Sequence, residues 1–328
     1  MSEPPTHDCI HNALHHRHEG PTLRTSQYYS TALLEKRLVV EVERGGESVD
    51  ALDQAPPSAS WRPLRIQIID DALYSDEGHT CFEQGQNFWS EGQRQTCAWD
   101  DVLTPQKRDT LVKRLMPQAV DFFSHLLRVR PVQGALRLNS FFCGFDGGVQ
   151  VPRRLRAQGV AEADMVIFLT ARPIRSDSRT TETIAFAGHC ERDQYGRPIG
   201  AHFNWSPRQL VEPSNSWLEH YLARVAMHEL THALVFSPEL VQAFPHQPTM
   251  RILPTPQGSY ASAISSPRVL RAVRKHFGCE ELEGAQLEDG GGAGTASSHW
   301  EMRWLRDEYM TGSASPGVLP CGVCTADG

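Results

Sequence analysis

A metal-binding motif on one predicted helix constrains this chain more than any other feature. Residues 225–237 read VAMHELTHALVFS, in which His228, Glu229 and His232 form the pattern HExxH. Residues four apart on a helix share one face, so both imidazoles can reach one tetrahedral zinc ion at about 2.0–2.1 Å. Glu229 can then act as general base on a metal-bound water. The pattern predicts a catalytic zinc helix; the alternative is coincidence in a chain that carries 15 histidines.

Several strand patterns precede this helix. Residues 163–171 (ADMVIFLTA) are apolar enough for a buried strand, and residues 63–70 (PLRIQIID) alternate as a half-buried strand does. Residues 183–189 and 197–205 flank the turn sequence DQYG, which predicts a hairpin at the edge of the sheet. A further strand is predicted at residues 135–142 (ALRLNSFF).

Two helices can be placed among these strands. Thr104 followed by Pro105 predicts the start of one helix, and Pro117 predicts a kink inside it. The HExxH helix is expected to begin near Ser214 or Asn215. Strands followed by a helix, a hairpin and the motif helix favour an α+β fold with a mixed twisted sheet.

Composition narrows the class of protein. The formal net charge of −7 argues against nucleic-acid binding. Eight cysteines favour an oxidising compartment, yet the N-terminal sequence MSEPPTHD lacks the pattern of a signal peptide. No run approaches the roughly 18 apolar residues of a membrane span.

The third metal ligand is less evident than the first two. Val235 interrupts the form HExxHxxGxxH, and Glu239 stands where that form has its last histidine. The downstream candidates are His246, His276 and His299. His299 fits best, because it follows the glycine-rich stretch EDGGGAGTASSH and precedes Met310 by eleven residues, so that this methionine could support the metal site from below.

These stretches together resemble the leishmanolysin family of surface metalloproteases, which belongs to the metzincin clan. The resemblance is carried by HELTHALVFS, by KRDTLVKRLMPQAV and by the segment from HFGCEELEG to SHWEMRWLRDEYM, and it covers roughly residues 7–310. It implies a metzincin-like fold and one Zn²⁺ ion. It also implies zinc ligands His228, His232 and His299, the catalytic acid/base Glu229 and the Met-turn residue Met310.

The resemblance also implies a division of the chain. Residues 1–62 correspond to a pro-region and linker, residues 63–239 to the catalytic domain, and residues 240–328 to a second, truncated and loop-rich domain with the third ligand and the Met-turn. Within the pro-region, the Cys9 thiolate could occupy the fourth zinc position and hold the enzyme latent. The alternatives for Cys9 are a disulfide or loose metal binding by a His/Cys tract.

The remaining cysteines are assigned by the same resemblance. It implies the pairs Cys81–Cys97 and Cys143–Cys190, and it leaves Cys279 without its family partner. Cys321 and Cys324 form a CxxC that we interpret as incidental, because no strand–helix context follows it. Family members are found at the cell surface or outside the cell, often anchored to the membrane, although neither a signal peptide nor an anchor is evident in this sequence.

Two functions follow from these features. The first is a zinc metalloendopeptidase that binds extended peptides along the strand at residues 183–189. The second is an impaired, truncated family member that serves as a surface adhesion or binding protein. Val235 bears on the choice: if the glycine it replaces has a positive φ, a valine there is strained by about 1–3 kcal/mol, and restoring glycine should increase stability or zinc affinity.

Overall fold

The fold combines short helices with one mixed sheet in a computed structural model. It describes residues 7–8, 61–90, 92–144, 148–174, 183–211, 215–243, 250–254, 260–290, 296–306 and 308–314. The α-helices in these ranges are α1 (Ala72–Ser75), α2 (Pro105–Thr110), α3 (Met116–Leu126), α4 (Arg153–Ala157), α5 (Ser216–Leu234), α6 (Pro238–Gln242), α7 (Pro267–Phe277) and α8 (Met302–Leu305).

Most strands in the described ranges are short, and three of them exceed five residues. In chain order the strands are β1 (His7–Asp8), β2 (Arg62–Pro63), β3 (Ile66–Ile69), β4 (Asn87–Ser90), β5 (Gln93–Thr96), β6 (Arg128–Val129), β7 (Phe142–Cys143), β8 (Val149–Gln150), β9 (Met165–Thr170), β10 (Ala185–Arg192), β11 (Pro198–Trp205), β12 (Met250–Pro254), β13 (Tyr260–Ile264), β14 (Ala285–Gln286) and β15 (Ser313–Ala314).

The central sheet has the strand order β10–β11–β9–β3. β3 pairs parallel to β9, β9 pairs parallel to β11, and β10 pairs antiparallel to β11. The predicted α+β class with a mixed sheet is therefore confirmed. The predicted hairpin is confirmed too, and β10 is the terminal strand of this sheet, as its edge position required.

Strand β9 lies in the middle of the apolar core, as its sequence predicted. All six of its residues are buried, because both faces of the sheet are covered. Met165, Ile167 and Leu169 face the core shared with the helices, whereas Val166 and Phe168 face a separate, smaller group of apolar residues on the other face of the sheet. Helix α5 contacts the sheet through β10 and β11, which fixes the motif helix against the hairpin.

The predicted helix at Thr104 is present but divided into two α-helical parts. The Thr104 hydroxyl accepts a hydrogen bond from the Lys107 N–H at 3.2 Å, as an N-cap does. A π-helical turn over Leu111–Leu115 separates α2 from α3, directly before Pro117. Pro117 has no N–H to donate to the preceding turn, and the helix departs from α geometry there, where the sequence predicted a kink.

The predicted strand at residues 135–142 is wrong. Leu136 and Leu138 are buried in alternation, but the described backbone pairing of the segment is sparse: an isolated bridge from Leu136 to Val160, the Val151 N–H bonded to the Phe141 carbonyl, and Phe142 in β7. The N–H groups of Asn139 and Ser140 instead donate to the Glu191 carboxylate. A side chain satisfies backbone donors that a neighbouring strand would otherwise take.

Two disulfides agree with the pairs that the family resemblance implied. Cys81 bonds to Cys97, and Cys143 bonds to Cys190 at the far end of β10. Cys279 is a half-buried free thiol. Cys9, Cys321 and Cys324 lie outside the described residues.

The chain after α5 has more regular structure than its Pro, Gly and Ser content suggested. β12, β13 and β14 form an antiparallel sheet, and α7 packs beside β14. A second apolar cluster in this region includes Phe236, Trp300 and Met310. The division at residues 62 and 239 stays a prediction. Among the described helices, none is long and apolar enough to cross a membrane.

A buried ion pair joins the starts of two neighbouring parallel strands. Arg65 precedes β3, and its guanidinium donates to Asp164, which precedes β9, at 2.8 and 3.0 Å. The Val132 N–H donates to the same carboxylate at 2.6 Å. Burial alone would raise the pKa of Asp164, but these hydrogen bonds and the arginine charge bring it below its usual value.

Asp164→Asn should therefore lower the free energy of unfolding at pH 7 by about 2–3 kcal/mol. This is less than the loss for a fully buried pair, because the Arg65 side chain is 30% exposed. A lowered carboxyl pKa stabilises the fold above the unfolded value of about 3.9, so the deficit should shrink as the pH falls below 4. Urea unfolding across this range measures the deficit. Asp71→Asn is the control, since its pair with Arg154 is exposed on both sides; equal losses in both variants would contradict the prediction.

Candidate metal centre

The motif helix begins where the sequence predicted. Asn215 is the N-cap of α5, and its side-chain oxygen accepts a hydrogen bond from the Leu218 N–H at 2.9 Å. Apolar residues of the helix, among them Tyr221, Val225 and Leu230, belong to the main core. Because this face is fixed against the sheet, the position of the motif residues along and around the helix is fixed as well.

Three histidines meet at one point. The Nε2 atoms of His228 and His232 are 3.2 Å apart, and each lies 3.2–3.3 Å from Nε2 of His299. His232 and His299 are fully buried, and His228 is nearly so. The structure thus brings the two histidines of the motif together with the downstream histidine that sequence reasoning favoured.

Hydrogen bonds at the far side of two rings determine which nitrogen carries the proton. Nδ1 of His228 lies 2.9 Å from the Tyr309 carbonyl oxygen, and Nδ1 of His232 lies 2.8 Å from the Phe236 carbonyl oxygen. A carbonyl can only accept, so each Nδ1 carries the hydrogen and each neutral ring presents a lone pair at Nε2. Nδ1 of His299 lies 3.0 Å from the Ser298 hydroxyl. This arrangement is typical of histidines that bind a metal.

The donor set fits a metal ion. The Nε2 lone pairs of His228 and His232 are directed at one another and repel, and a cation between them removes that repulsion. A tetrahedral ion about 2.0–2.1 Å from each nitrogen requires nitrogens about 3.3–3.4 Å apart, close to the observed 3.2–3.3 Å. His228, His232 and His299 can therefore hold a metal ion, and three protein ligands leave a fourth position of a tetrahedron for water or substrate.

The other candidates for the third ligand do not compete. His276 is exposed at the end of α7 and is not part of this cluster. His246 lies outside the described residues. Glu239, at the position of the last histidine in the uninterrupted motif, lies in α6 and is not part of the cluster.

Glu229 and Met310, the other two residues predicted at the site, are both buried. Glu229 follows His228 on α5 and is fully buried. Met310 belongs to the second apolar cluster, and its carbonyl accepts a hydrogen bond from the Trp300 N–H at 2.8 Å. Since Trp300 follows His299 and Tyr309 precedes Met310, the segment at Met310 is bonded both to the third histidine's neighbour and to His228.

Sequence reasoning missed two residues that orient the motif histidines. Tyr309 accepts from His228 through its carbonyl, and its hydroxyl lies 2.9 Å from the Thr231 hydroxyl in the middle of the motif. Burial raises the pKa of the Tyr309 phenol, so it stays neutral. Phe236 acts through its backbone carbonyl, which any residue type would supply. Only the place of Tyr309 directly before the Met-turn candidate could have indicated its role.

The backbone at Val235 is not in the conformation that the sequence argument required. Val235 ends α5 with φ −145° and ψ −46°, outside the left-handed region in which a β-branched residue is strained. Its N–H and that of Phe236 both donate to the Thr231 carbonyl. The chain leaves the helix without a glycine, and the expected strain is therefore absent.

Val235→Gly should consequently destabilise the protein, the reverse of the sequence-based expectation. Glycine adds backbone freedom to the unfolded chain, which costs about 0.5–1 kcal/mol relative to alanine. Thermal or urea unfolding of the wild type, Val235→Ala and Val235→Gly separates this backbone contribution from lost side-chain packing. A glycine variant more stable than the alanine variant would restore the strain argument.

Comparison with known proteins agrees with this geometry. The family model described as leishmanolysin matches residues 7–321. The chain is 28% identical to a leishmanolysin of Leishmania major over 95% of its own length and 51% of the relative's, and 29% identical to that of Leishmania donovani over 95% and 50%. A leishmanolysin-like peptidase of Drosophila melanogaster is 28% identical over 64% of this chain and 42% of its own length. The chain spans about half the length of the curated relatives it matches. It belongs to the leishmanolysin family of metallopeptidases.

Proposed function

We propose that this protein is a zinc-dependent endopeptidase. The observation that carries the proposal is the convergence of three buried Nε2 atoms, two of them on rings whose Nδ1 is bonded to a backbone carbonyl. Three imidazole nitrogens are a donor set that Zn²⁺ uses at catalytic sites. Membership of a metallopeptidase family supports the same conclusion.

Each residue of the site has a defined task in this proposal. His228, His232 and His299 would hold the ion, which when bound would acidify a water molecule and polarise the scissile carbonyl. Glu229 takes the proton of the attacking water at its carboxylate and passes it to the leaving amine. Tyr309 and Phe236 hold the rings of His228 and His232, and Met310 supports the site from the second apolar cluster.

The peptide is proposed to bind extended along β10. This strand ends the central sheet and contacts α5, so a chain aligned with it passes beside the motif helix. Backbone hydrogen bonds of the kind that join strands would position the scissile bond without demanding one sequence. A cell-surface or extracellular location is proposed as well, supported by two disulfides, which persist in oxidising compartments.

Latency through Cys9 is also proposed. β1, which directly precedes Cys9, pairs antiparallel with β15, with Asp8 opposite Ser313. The chain direction in this pairing runs from Ala314 back toward Thr311, and Thr311 is bridged to Trp300 beside His299. The pairing therefore supports an N-terminal segment that approaches the metal ligands. Cys9 itself lies outside the described residues.

Glu229→Gln should abolish peptide hydrolysis, by about a hundredfold or more, while zinc content stays near one ion per chain. The amide keeps the volume of the side chain but cannot accept the proton of water. The measurement is hydrolysis of a quenched fluorescent peptide together with metal analysis. Glu219→Gln is the matched control, because Glu219 lies ten residues earlier on the same helix and pairs with Arg114. Equal activity of Glu229→Gln and wild type would contradict the assignment of Glu229, whereas a zinc-loaded wild type that hydrolyses no peptide would favour the adhesion or binding alternative.

Cys9→Ala should raise the activity of the unprocessed chain, because a thiolate that occupies the water position blocks hydrolysis. Initial rates before any proteolytic processing measure the effect. Cys279→Ala is the control, since this thiol is half-buried and outside the histidine cluster. Unchanged basal activity in Cys9→Ala would count against latency without affecting the zinc assignment.

A further inference from the structure

We propose that Glu301, Arg303 and Asp289 form a clasp that positions His299 as the third metal ligand. We name this group the charge clasp. The inference rests on the proposed function, because it assigns positioning residues to the same metal site. None of the three residues was singled out by the sequence, and none contributes an atom to the histidine cluster.

His299 lies far from the motif pair in sequence and follows a glycine-rich stretch. It follows His232 by 67 positions, and the stretch before it contains four glycines within residues 290–294. Glycine-rich chain has high conformational entropy, so holding one ring nitrogen within a few tenths of an ångström of a set position is costly. The motif pair on α5, by contrast, is fixed by the helix and the core.

The base of this loop is closed by backbone pairing. The Glu288 N–H donates to the His299 carbonyl at 2.8 Å, and the Ser297 N–H donates to the Glu288 carbonyl at 2.8 Å. The Glu288 carboxylate accepts from the N–H groups of Gly290 and Met302, at 2.8 and 3.2 Å. Residues on the two sides of the glycine-rich stretch are thus held against each other, with His299 on the return side.

The Glu301 carboxylate is the centre of the charge clasp. It is 1% exposed and accepts from Nε and Nη2 of Arg303, both at 2.8 Å, and from the Arg303 N–H at 3.0 Å. The Asp289 N–H approaches the same carboxylate at 3.4 Å. A nearly buried carboxylate is tolerated only with such partners, so this arrangement specifies the backbone on both sides of His299.

Arg303 completes the closure of the loop. Its Nη2 donates to Asp289 as well as to Glu301, so one guanidinium binds a residue before the glycine-rich stretch and a residue after it. The planar fork of arginine suits two carboxylates at once, which lysine cannot reproduce. Glu288, Asp289 and Glu301 lie close enough to suggest a cation site, but Arg303 and backbone N–H groups already occupy their oxygens.

The apolar side of the same segment agrees with a positioning role. Trp300, between His299 and Glu301, packs edge-on against Phe236 at 4.7 Å between ring centroids. Phe236 is the residue whose carbonyl orients His232. The clasp therefore orders a segment that contacts both the third ligand and the support of the second.

The test compares Arg303→Met with Arg65→Met in the full-length chain. Both substitutions remove an arginine that pairs with a carboxylate at most 1% exposed. Arg65, however, joins two strands of the central sheet and is not part of the segment that contains His299. Zinc affinity is measured by competition with a chelator. The thermal midpoint is measured with and without zinc, and the absorption spectrum of the Co²⁺-loaded protein reports the ligand geometry.

Arg303→Met should weaken zinc binding by about ten- to a hundredfold, as loss of a residue that supports a metal ligand does. It should also shrink the rise in thermal midpoint on adding zinc and alter the Co²⁺ spectrum. Arg65→Met should lower the zinc-free midpoint and leave zinc affinity within about twofold. Unchanged zinc affinity and spectrum in Arg303→Met, or equal losses of affinity in both variants, would overturn the inference.

Asp289→Asn keeps the test decisive if Arg303→Met does not fold. It removes only the carboxylate charge before the glycine-rich stretch, so it should also weaken zinc affinity, but by a smaller factor than Arg303→Met. Unchanged affinity in this variant would count against the clasp. If the wild type itself bound no zinc, the proposed function would fail. If the wild type and the clasp variants bound zinc equally well, only the inference about the clasp would fail.

Discussion

The site depends on the mutual approach of three imidazole nitrogens, two of which carry no hydrogen. Two of the rings are fixed from behind, because Nδ1 of His228 and of His232 bond to the carbonyls of Tyr309 and Phe236. Their Nε2 atoms meet Nε2 of His299 at 3.2–3.3 Å, separations close to those that a tetrahedral metal ion requires. The rest of the fold supplies the rigidity that holds these three nitrogens close together.

That rigidity has two sources that meet at the metal centre. The main core fixes α5 against the hairpin of β10 and β11. The second apolar cluster, in which Phe236 contacts Trp300, holds the later segment against the end of α5. Charge adds to packing here, because the charge clasp orders the segment around His299 through hydrogen bonds to nearly buried Glu301. His232 and His299 thus share one support.

Sequence patterns predicted those elements in which nearly every residue is apolar. The run at residues 163–171 is apolar throughout, so β9 could be recognised without its neighbours. The segment at residues 135–142 shows the limit of this reasoning. Its alternation of buried Leu136 and Leu138 is real, yet a distant carboxylate, Glu191, takes the N–H groups that a strand would have paired. Alternation reports burial on one side and does not report which partner satisfies the backbone.

By itself the sequence determined the motif helix, its Asn215 cap and the i, i+4 histidine pair, because these depend on helical geometry alone. Tertiary structure decided the rest of the site. It brought His299, which the sequence already favoured among three candidates, to the motif pair, and it recruited the carbonyls of Tyr309 and Phe236, which no sequence pattern indicates. It also gave Val235 a negative φ, since the direction in which a chain leaves a helix depends on what the next residues pack against.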